Sequence, residues 1–166
     1  TTIKLFRKHI GVFSHPLVNV NKKNIIFLKR SDKYRRIVNE ESVIEIIDKY
    51  NGEIVEINNL NLEERMNIFS NKSIFICTAG GTLANTIFAK PGKTIIEFMP
   101  DFYYSVPKFY AGTEGPYISF GLGHDLIKVI CRLNDNDDKK SFILKDFMVP
   151  LEDLKIAIDL AISKNK

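Results

Sequence analysis

The fold of this chain follows from one stretch of its sequence, residues 73–82, which reads SIFICTAGGT. Its first half, residues 73–77, has the apolar composition of a buried strand, and the glycine pair that follows is typical of a tight loop. Residues 83–88 then read as a helix. Ligands of open parallel sheets bind beyond the carboxyl ends of the strands, where paired glycines let the backbone come close. The stretch therefore predicts either an anion site at Gly80, Gly81 and Thr82 or a plain tight turn.

Strand and helix patterns alternate on both sides of this stretch. Residues 25–28, 53–57 and 94–98 read as strands. Apolar residues at helical spacing predict one helix after Asn39 and a second, opened by a capping box at Asn61 and Glu64, whose apolar residues are Leu62, Met66 and Phe69. This alternation implies parallel βαβ units. We expect a three-layer, Rossmann-like open sheet, mostly parallel, with helices on both faces.

The pattern is weaker after Pro100. Residues 101–116 read as a long loop with room for a short helix, residues 117–120 and 127–131 as strands, and residues 142–149 as an extended segment. A final helix begins at Pro150, with Leu151, Leu154, Ile158 and Ala161 on one face. Residues 1–20 fit the sheet poorly. We expect them to be a leading segment or helix from a preceding domain, and residues 21–166 to form the Rossmann-like domain.

The composition excludes several classes of protein. With 166 residues, 45% hydrophobic and 27% charged, the chain is neither disordered nor a disulfide scaffold, and no apolar run is long enough for a transmembrane helix. The net charge of +4 reflects an excess of lysine, which usually means a solvated surface, so nucleic-acid binding is not expected. The chain has six arginines, and three of them lie within residues 30–36. Arg30, Arg35 and Arg36 form either a phosphate site or a solvent-facing turn.

Glu97 interrupts an otherwise apolar strand. A buried carboxylate is costly without a partner, so we expect Glu97 at the open end of its strand, facing the ligand cleft. There it would accept hydrogen bonds from ribose hydroxyls; the alternative is a solvated edge residue.

Metal and thiol chemistry is not expected. His9, His15 and His124 lack metal-binding spacing, and the segment Asp135–Asp137 lies in a polar run without the strand that a metal-binding D-x-D motif follows. Cys77 and Cys131 lie in apolar segments, which favours buried free thiols over a disulfide or a nucleophile.

The order of these elements resembles glycosyltransferase family 61. Its pattern is an Arg after the first strand, an R-x-x-x-N-E helix start, an H-G-A-x-L-x-N loop and a P-G turn before an x-E-L-x-P strand. The matching segments here are Arg30, RRIVNE (35–40), SNKS (70–73), TAGGTLAN (78–85), PG (91–92) and IEFMP (96–100). The resemblance implies a GT-B-like architecture, of which this chain is the C-terminal, nucleotide-sugar-binding half and whose N-terminal domain is missing here.

The resemblance also implies an activity and a set of site residues. The enzyme would be inverting and metal-independent, with a UDP-sugar as donor substrate, no further cofactor, and a glycan or protein hydroxyl as acceptor, as in surface-polysaccharide synthesis. The implied donor site consists of Arg30 and Arg36 at the diphosphate, the backbone of Gly80, Gly81 and Thr82, Asn85 as a brace for the loop, and Glu97 at the ribose. A bacterial cytoplasmic location is implied, or a secretory lumen for a eukaryotic parent protein.

One position departs from the family pattern. The His that precedes the first Gly of the family loop is Ala79 here. The hydroxyls of Thr78 and Thr82 could replace a hydrogen bond of that His and are the catalytic candidates. Two alternative functions remain open: a catalytically inactive nucleotide-binding or scaffolding module of the same fold, and a basic α/β domain that binds nucleic acid.

Overall fold

The computed structural model of the chain describes residues 24–31, 33–105, 114–134, 141 and 144–165. The predictions for residues 1–20, His9, His15 and Asp135–Asp137 lie outside these residues. The described strands are β1 (Ile25–Lys29), β2 (Glu53–Glu56), β3 (Ile74–Thr78), β4 (Thr94–Pro100), β5 (Asp125–Leu133) and β6 (Phe147–Met148). The described α-helices are α1 (Glu40–Lys49), α2 (Leu62–Asn71), α3 (Phe102–Ser105), α4 (Glu114–Leu122) and α5 (Leu151–Lys164). Two 3₁₀ helices span Ile57–Asn59 and Gly81–Phe88, and the second is named the loop helix.

The strands form one sheet in the order β2-β1-β3-β4-β5-β6. All neighbouring pairs from β2 to β5 are parallel, and β6 pairs with β5 in the antiparallel direction. The predicted mostly parallel α/β sheet is therefore confirmed.

Helices cover both faces of this sheet. Alternate residues of a strand point to opposite faces, and in β1 the odd and even positions belong to different apolar clusters. Ile25 and Phe27 pack with α1 and α5 on one face, named the α1 face. Ile26 and Leu28 pack with α2 and the loop helix on the other, named the α2 face. Burial on both sides explains why the strands read as continuous apolar runs.

The capping box that opens α2 is confirmed. The Asn61 side chain accepts a hydrogen bond from the Glu64 amide at 3.0 Å, and the Glu64 carboxylate accepts one from the Asn61 amide at 2.8 Å. Met66 and Phe69 are buried as predicted, but Leu62 is 60% exposed. Leu62 is the first residue of the helix, and at this end of the helix the apolar face is not covered by the sheet.

Asn39 precedes α1 as predicted, but its side chain does not cap the helix. Its amide nitrogen donates to the Val149 carbonyl at 2.8 Å, and its amide oxygen accepts from the Val149 amide at 3.0 Å. This pair of hydrogen bonds ties the start of α1 to the segment before α5.

One predicted element was wrong. Residues 117–120 are not a strand but the middle of α4, in which Tyr117 and Phe120 are exposed while Ser119 and Leu122 are buried, a helical spacing. The place beside β4 is taken by β5, so no edge was open to a strand there. The helix predicted for residues 83–88 is confirmed, and it is part of the 3₁₀ helix Gly81–Phe88. No helix among the described residues has the length and apolar character needed to cross a membrane.

Candidate functional site

The sheet has a crevice between the carboxyl ends of β1 and β3. After β1 the chain continues to α1 on the α1 face, and after β3 it enters the loop helix on the α2 face. In this strand order the connections from β1 and β3 run in opposite directions along the sheet, and open α/β sheets bind ligands at such a switch point. Arg30 follows β1, and Gly80 follows β3, so both residues border the crevice.

Two arginines converge on Gly80. A Cβ atom built on Gly80 would lie 3.5 and 3.6 Å from the terminal nitrogens of Arg35 and 3.8 Å from Nη1 of Arg30. Gly80 has φ +114° and ψ −151°, a conformation open essentially only to glycine. The loop therefore passes close beneath two guanidinium groups, where a bound anion would offset their mutual repulsion.

The first cavity of the crevice, named the arginine cavity, has a volume of about 290 Å³. Its lining includes Phe27, Arg30, Arg35, Arg36, Glu40 and Thr78. The Thr78 side chain is on the α1 face, and its Oγ1 is buried without a hydrogen-bond partner among the described residues. The acid in the lining, Glu40, is paired with Lys29 at 2.7 Å, and this hydrogen bond raises the pKa of Lys29. The cavity is therefore cationic and contains an unused hydroxyl.

Arg35 belongs to the predicted arginine cluster but not to the donor site that the resemblance implies, yet it lies nearest to Gly80. Its Nη1 donates to the Tyr103 hydroxyl at 3.1 Å, and its backbone has φ 55°, which is unusual for a non-glycine residue. Among the described residues Arg35 forms no ion pair. The motif itself could have identified it, because the Arg of R-x-x-x-N-E lies four residues before Asn39, and that residue is Arg35.

Arg36, which was assigned to the diphosphate, is bound to Asp146. Its Nε and Nη2 donate to Asp146 Oδ2 at 3.2 and 2.8 Å, and its backbone amide donates to Oδ1 at 2.9 Å. The Arg36 side chain is 65% exposed and that of Asp146 is 8% exposed. This pair fixes the loop after β1 to the segment before β6, and contact of Arg36 with a diphosphate stays a prediction.

A second cavity, named the asparagine cavity, has a volume of about 240 Å³. Its lining includes Arg30, Asn58, Arg65, Gly81, Thr82 and Asn85. Arg65 donates to Asn85 Oδ1 at 3.1 Å, and Asn85 Nδ2 donates to the Thr82 carbonyl at 3.0 Å. Asn85 therefore links α2 to the start of the loop helix. Arg65 was missed in the sequence because it lies outside the segments that match the family pattern, directly after the capping box of α2.

Glu97 is in the middle of β4, not at the open end of the strand as expected. Its carboxylate is 1% exposed and faces the N-terminus of α4, so that a Cβ atom on Gly115 would lie 2.6 Å from Oε2. Lys128 Nζ on the adjacent strand lies 3.9 Å from the same oxygen. β4 continues to Pro100, so Glu97 is not at its end, and Glu97 points to the same face as Ile95, where α4 packs through Ile118. Its contact with a ribose stays a prediction.

Ala79 and His124 are both buried, and their contacts are with the surrounding fold. Ala79 is 3% exposed, and its amide donates to the Phe98 carbonyl at 2.9 Å, which continues the β3–β4 ladder. The His124 ring lies 3.4 Å from the Lys93 amide and 3.4 Å from the Thr86 carbonyl. In the described part of the chain no group of three or more His, Cys, Asp or Glu side chains is placed to hold a metal ion.

Cys77 and Cys131 are buried free thiols, as predicted. Burial raises the pKa of both thiols, that of Cys131 to about 12. We expect neither thiol to react with Ellman's reagent at pH 8 in the folded protein, and both to react in denaturant. Because only the unfolded chain loses these protons just above the ordinary thiol pKa of 9.0, the free energy of unfolding should fall as the pH rises past 9.0. Rapid labelling of the folded protein would contradict this prediction.

A family model described as Glycosyltransferase 61 matches residues 4–96 of the chain. The match covers more than half of the 166 residues and includes β1, β3, the loop helix and both cavities' arginines. It ends one residue before Glu97. No curated protein matches the chain.

Proposed function

Because the chain belongs to glycosyltransferase family 61, we propose that the crevice beyond β1 and β3 binds the diphosphate of a nucleotide sugar whose sugar is transferred to a hydroxyl acceptor. One observation supports this most directly: Arg30 and Arg35 converge on Gly80 at the point where the strand order reverses. Planar guanidinium groups bind phosphate oxygens in pairs, and a glycine without a side chain lets those oxygens approach the backbone.

In the proposed inverting reaction the acceptor hydroxyl oxygen attacks the anomeric carbon of the sugar. The bond from that carbon to the diphosphate oxygen breaks, and the diphosphate leaves with the electron pair. Arg30 and Arg35 would stabilise the charge that develops on the diphosphate, which is the role a metal ion has in other transferases. We assign the proton of the hydroxyl to a base in the N-terminal domain that the proposed GT-B-like architecture would supply. Glycans are the proposed acceptors.

Calorimetry of the 166-residue chain with UDP tests donor binding. We expect UDP to bind with the same affinity in EDTA as in magnesium, because the arginines supply the positive charge. Incubation of the full-length protein with a panel of UDP-sugars and glycan acceptors then tests transfer. An absence of UDP binding, or binding that requires magnesium, would contradict the proposed donor site.

A second function is favoured by Ala79, which replaces the loop His of the family. A catalytically inactive nucleotide-binding module would bind UDP but neither hydrolyse nor transfer from any UDP-sugar. Activity gained by the Ala79→His variant would identify the loop as the missing part.

Thr78→Val should stabilise the free protein while it weakens UDP binding. The change replaces a buried, unpartnered hydroxyl with a methyl group of the same shape, so we expect the free energy of unfolding to rise by about 1 kcal/mol. If the hydroxyl donates to a phosphate oxygen, the Kd of UDP should increase about fivefold. Urea unfolding and calorimetry measure the two effects. A variant that binds UDP as tightly as the wild type would show that Thr78 does not contact the ligand.

A further inference from the structure

Arg65 is a cation that the proposed diphosphate contacts leave unused. Its Nε donates to the Leu60 carbonyl at 3.0 Å and its Nη1 donates to Asn85 Oδ1 at 3.1 Å, so that two of its five N–H groups are engaged. Both acceptors are neutral. Among the described residues Arg65 forms no ion pair, although it is half-buried. A partly desolvated guanidinium whose hydrogen-bond acceptors are all neutral can bind an anionic ligand with its remaining N–H groups.

The other residues of the asparagine cavity fit the same chemistry. Arg30 lines the cavity together with Asn58, Thr82 and Asn85, and its described lining contains no carboxylate. Two acids that adjoin residues of this lining in the sequence have other partners: Glu56 accepts a hydrogen bond from the Asn59 side chain at 2.8 Å, and Glu64 accepts one from the Asn61 amide at 2.8 Å. The positive charge of Arg65 is therefore not cancelled by these acids, and a ligand rich in acceptor oxygens matches the lining.

The two cavities lie on opposite faces of the sheet and share one residue. The arginine cavity contains Phe27 of the α1-face cluster, and the asparagine cavity contains Ile57 of the α2-face cluster. Arg30 lines both. A ligand that crosses Gly80 and Gly81 would thus meet Arg35 on one side and Arg65 on the other.

We propose that the asparagine cavity is a second oxyanion subsite of the donor site, in which Arg65 and Arg30 bind an anionic group. This inference rests on the proposed function, because a nucleotide sugar offers two sources for such a group. One is the second phosphate of the diphosphate, and the other is the carboxylate of a uronic acid sugar.

Calorimetry with UMP, UDP, UDP-glucose and UDP-glucuronate distinguishes these sources. In the Arg65→Gln variant the preference for UDP over UMP should fall about tenfold if the second phosphate binds in the cavity. The preference for UDP-glucuronate over UDP-glucose should fall by the same factor if the carboxylate binds there. If both preferences stay at their wild-type values, the proposal is overturned. Wild-type protein that binds none of the four ligands would instead overturn the proposed function.

Further variants distinguish a role of the Arg65 charge in ligand binding from a role of Arg65 in bracing the loop helix. Arg65→Lys keeps the charge and should keep most of the preference, whereas Asn85→Ala removes the link to the loop helix and should weaken UMP and UDP alike. Asn58→Asp places a carboxylate in the lining at an exposed position, where it is compatible with folding, and should reduce the same preference as Arg65→Gln. The matched control is Arg132→Gln, which removes one exposed charge from β5 and should leave every ratio unchanged. Equal effects of Arg65→Gln on UMP and UDP would assign Arg65 to bracing and reject the subsite.

Discussion

Arg35→Gln is expected to weaken UDP binding about 30-fold, the largest effect on affinity of any single change proposed for this site. Arg35 lies closest to Gly80, and its guanidinium is bound by the neutral Tyr103 hydroxyl, so its charge is available to a phosphate. Gln retains hydrogen-bonding capacity but loses the charge and the two-pronged geometry. Calorimetry at low and physiological ionic strength measures the loss, and the salt dependence of the Kd should decrease in the variant.

Arg36→Gln is the informative comparison, because it removes the adjacent arginine. The Arg36 guanidinium is held by Asp146, so we expect the variant to lose stability in urea unfolding while UDP affinity falls no more than about threefold. Arg132→Gln again controls for net charge. If Arg36→Gln weakens UDP binding more than Arg35→Gln does, the assignment made from the sequence is right and the one made from the geometry is not.

Gly80→Ala should lower the free energy of unfolding by about 2 kcal/mol and also weaken UDP binding. The backbone of Gly80, with φ +114° and ψ −151°, is closed to residues with a side chain, so the loop must rearrange to accept a methyl group. Rearrangement moves the backbone away from the two guanidinium groups that lie above it.

Gly81→Ala is the matched control, one residue along the same loop. A Cβ atom on Gly81 meets nothing within 4 Å and the residue is exposed, so its substitution should change the free energy of unfolding by no more than about 0.5 kcal/mol. Urea unfolding of both variants compares them directly. Equal stability of the two variants would show that the Gly80 conformation is not required.

The placement of the site residues shows why motif order and spacing identify only some of the residues in a binding site. Motif order and the glycine pair identified Arg30 and the loop at Gly80, because these residues follow strands directly and the strand ends fix their position. Arg35 and Arg36 are adjacent in sequence, and only the loop conformation, with Arg35 at φ 55°, sends their side chains to different partners. Arg65 lies 35 residues from Arg30 along the chain, and their common cavity exists only after α2 packs beside the loop helix.

Glu97 illustrates the same limit from within a strand. Its apolar neighbours correctly predicted β4, but the end of the strand depends on pairing with β5, which extends to Pro100. The carboxylate lies under α4 because alternation along β4 directs it to the α2 face, and residues 117–120 of α4 were predicted to be a strand.

Patterns in the sequence were enough to predict the alternating strands and helices, the parallel sheet, the capping box of α2, the buried thiols and the membership in glycosyltransferase family 61. These features depend on local periodicity and on the order of motifs, which a single chain displays. Three outcomes are visible only in the folded chain: Arg35 lies over Gly80, Arg36 is bound by Asp146, and Arg65 shares a cavity with Arg30. Each of these outcomes depends on contacts between segments far apart in the chain, and such contacts form only when the helices pack on the two faces of the sheet.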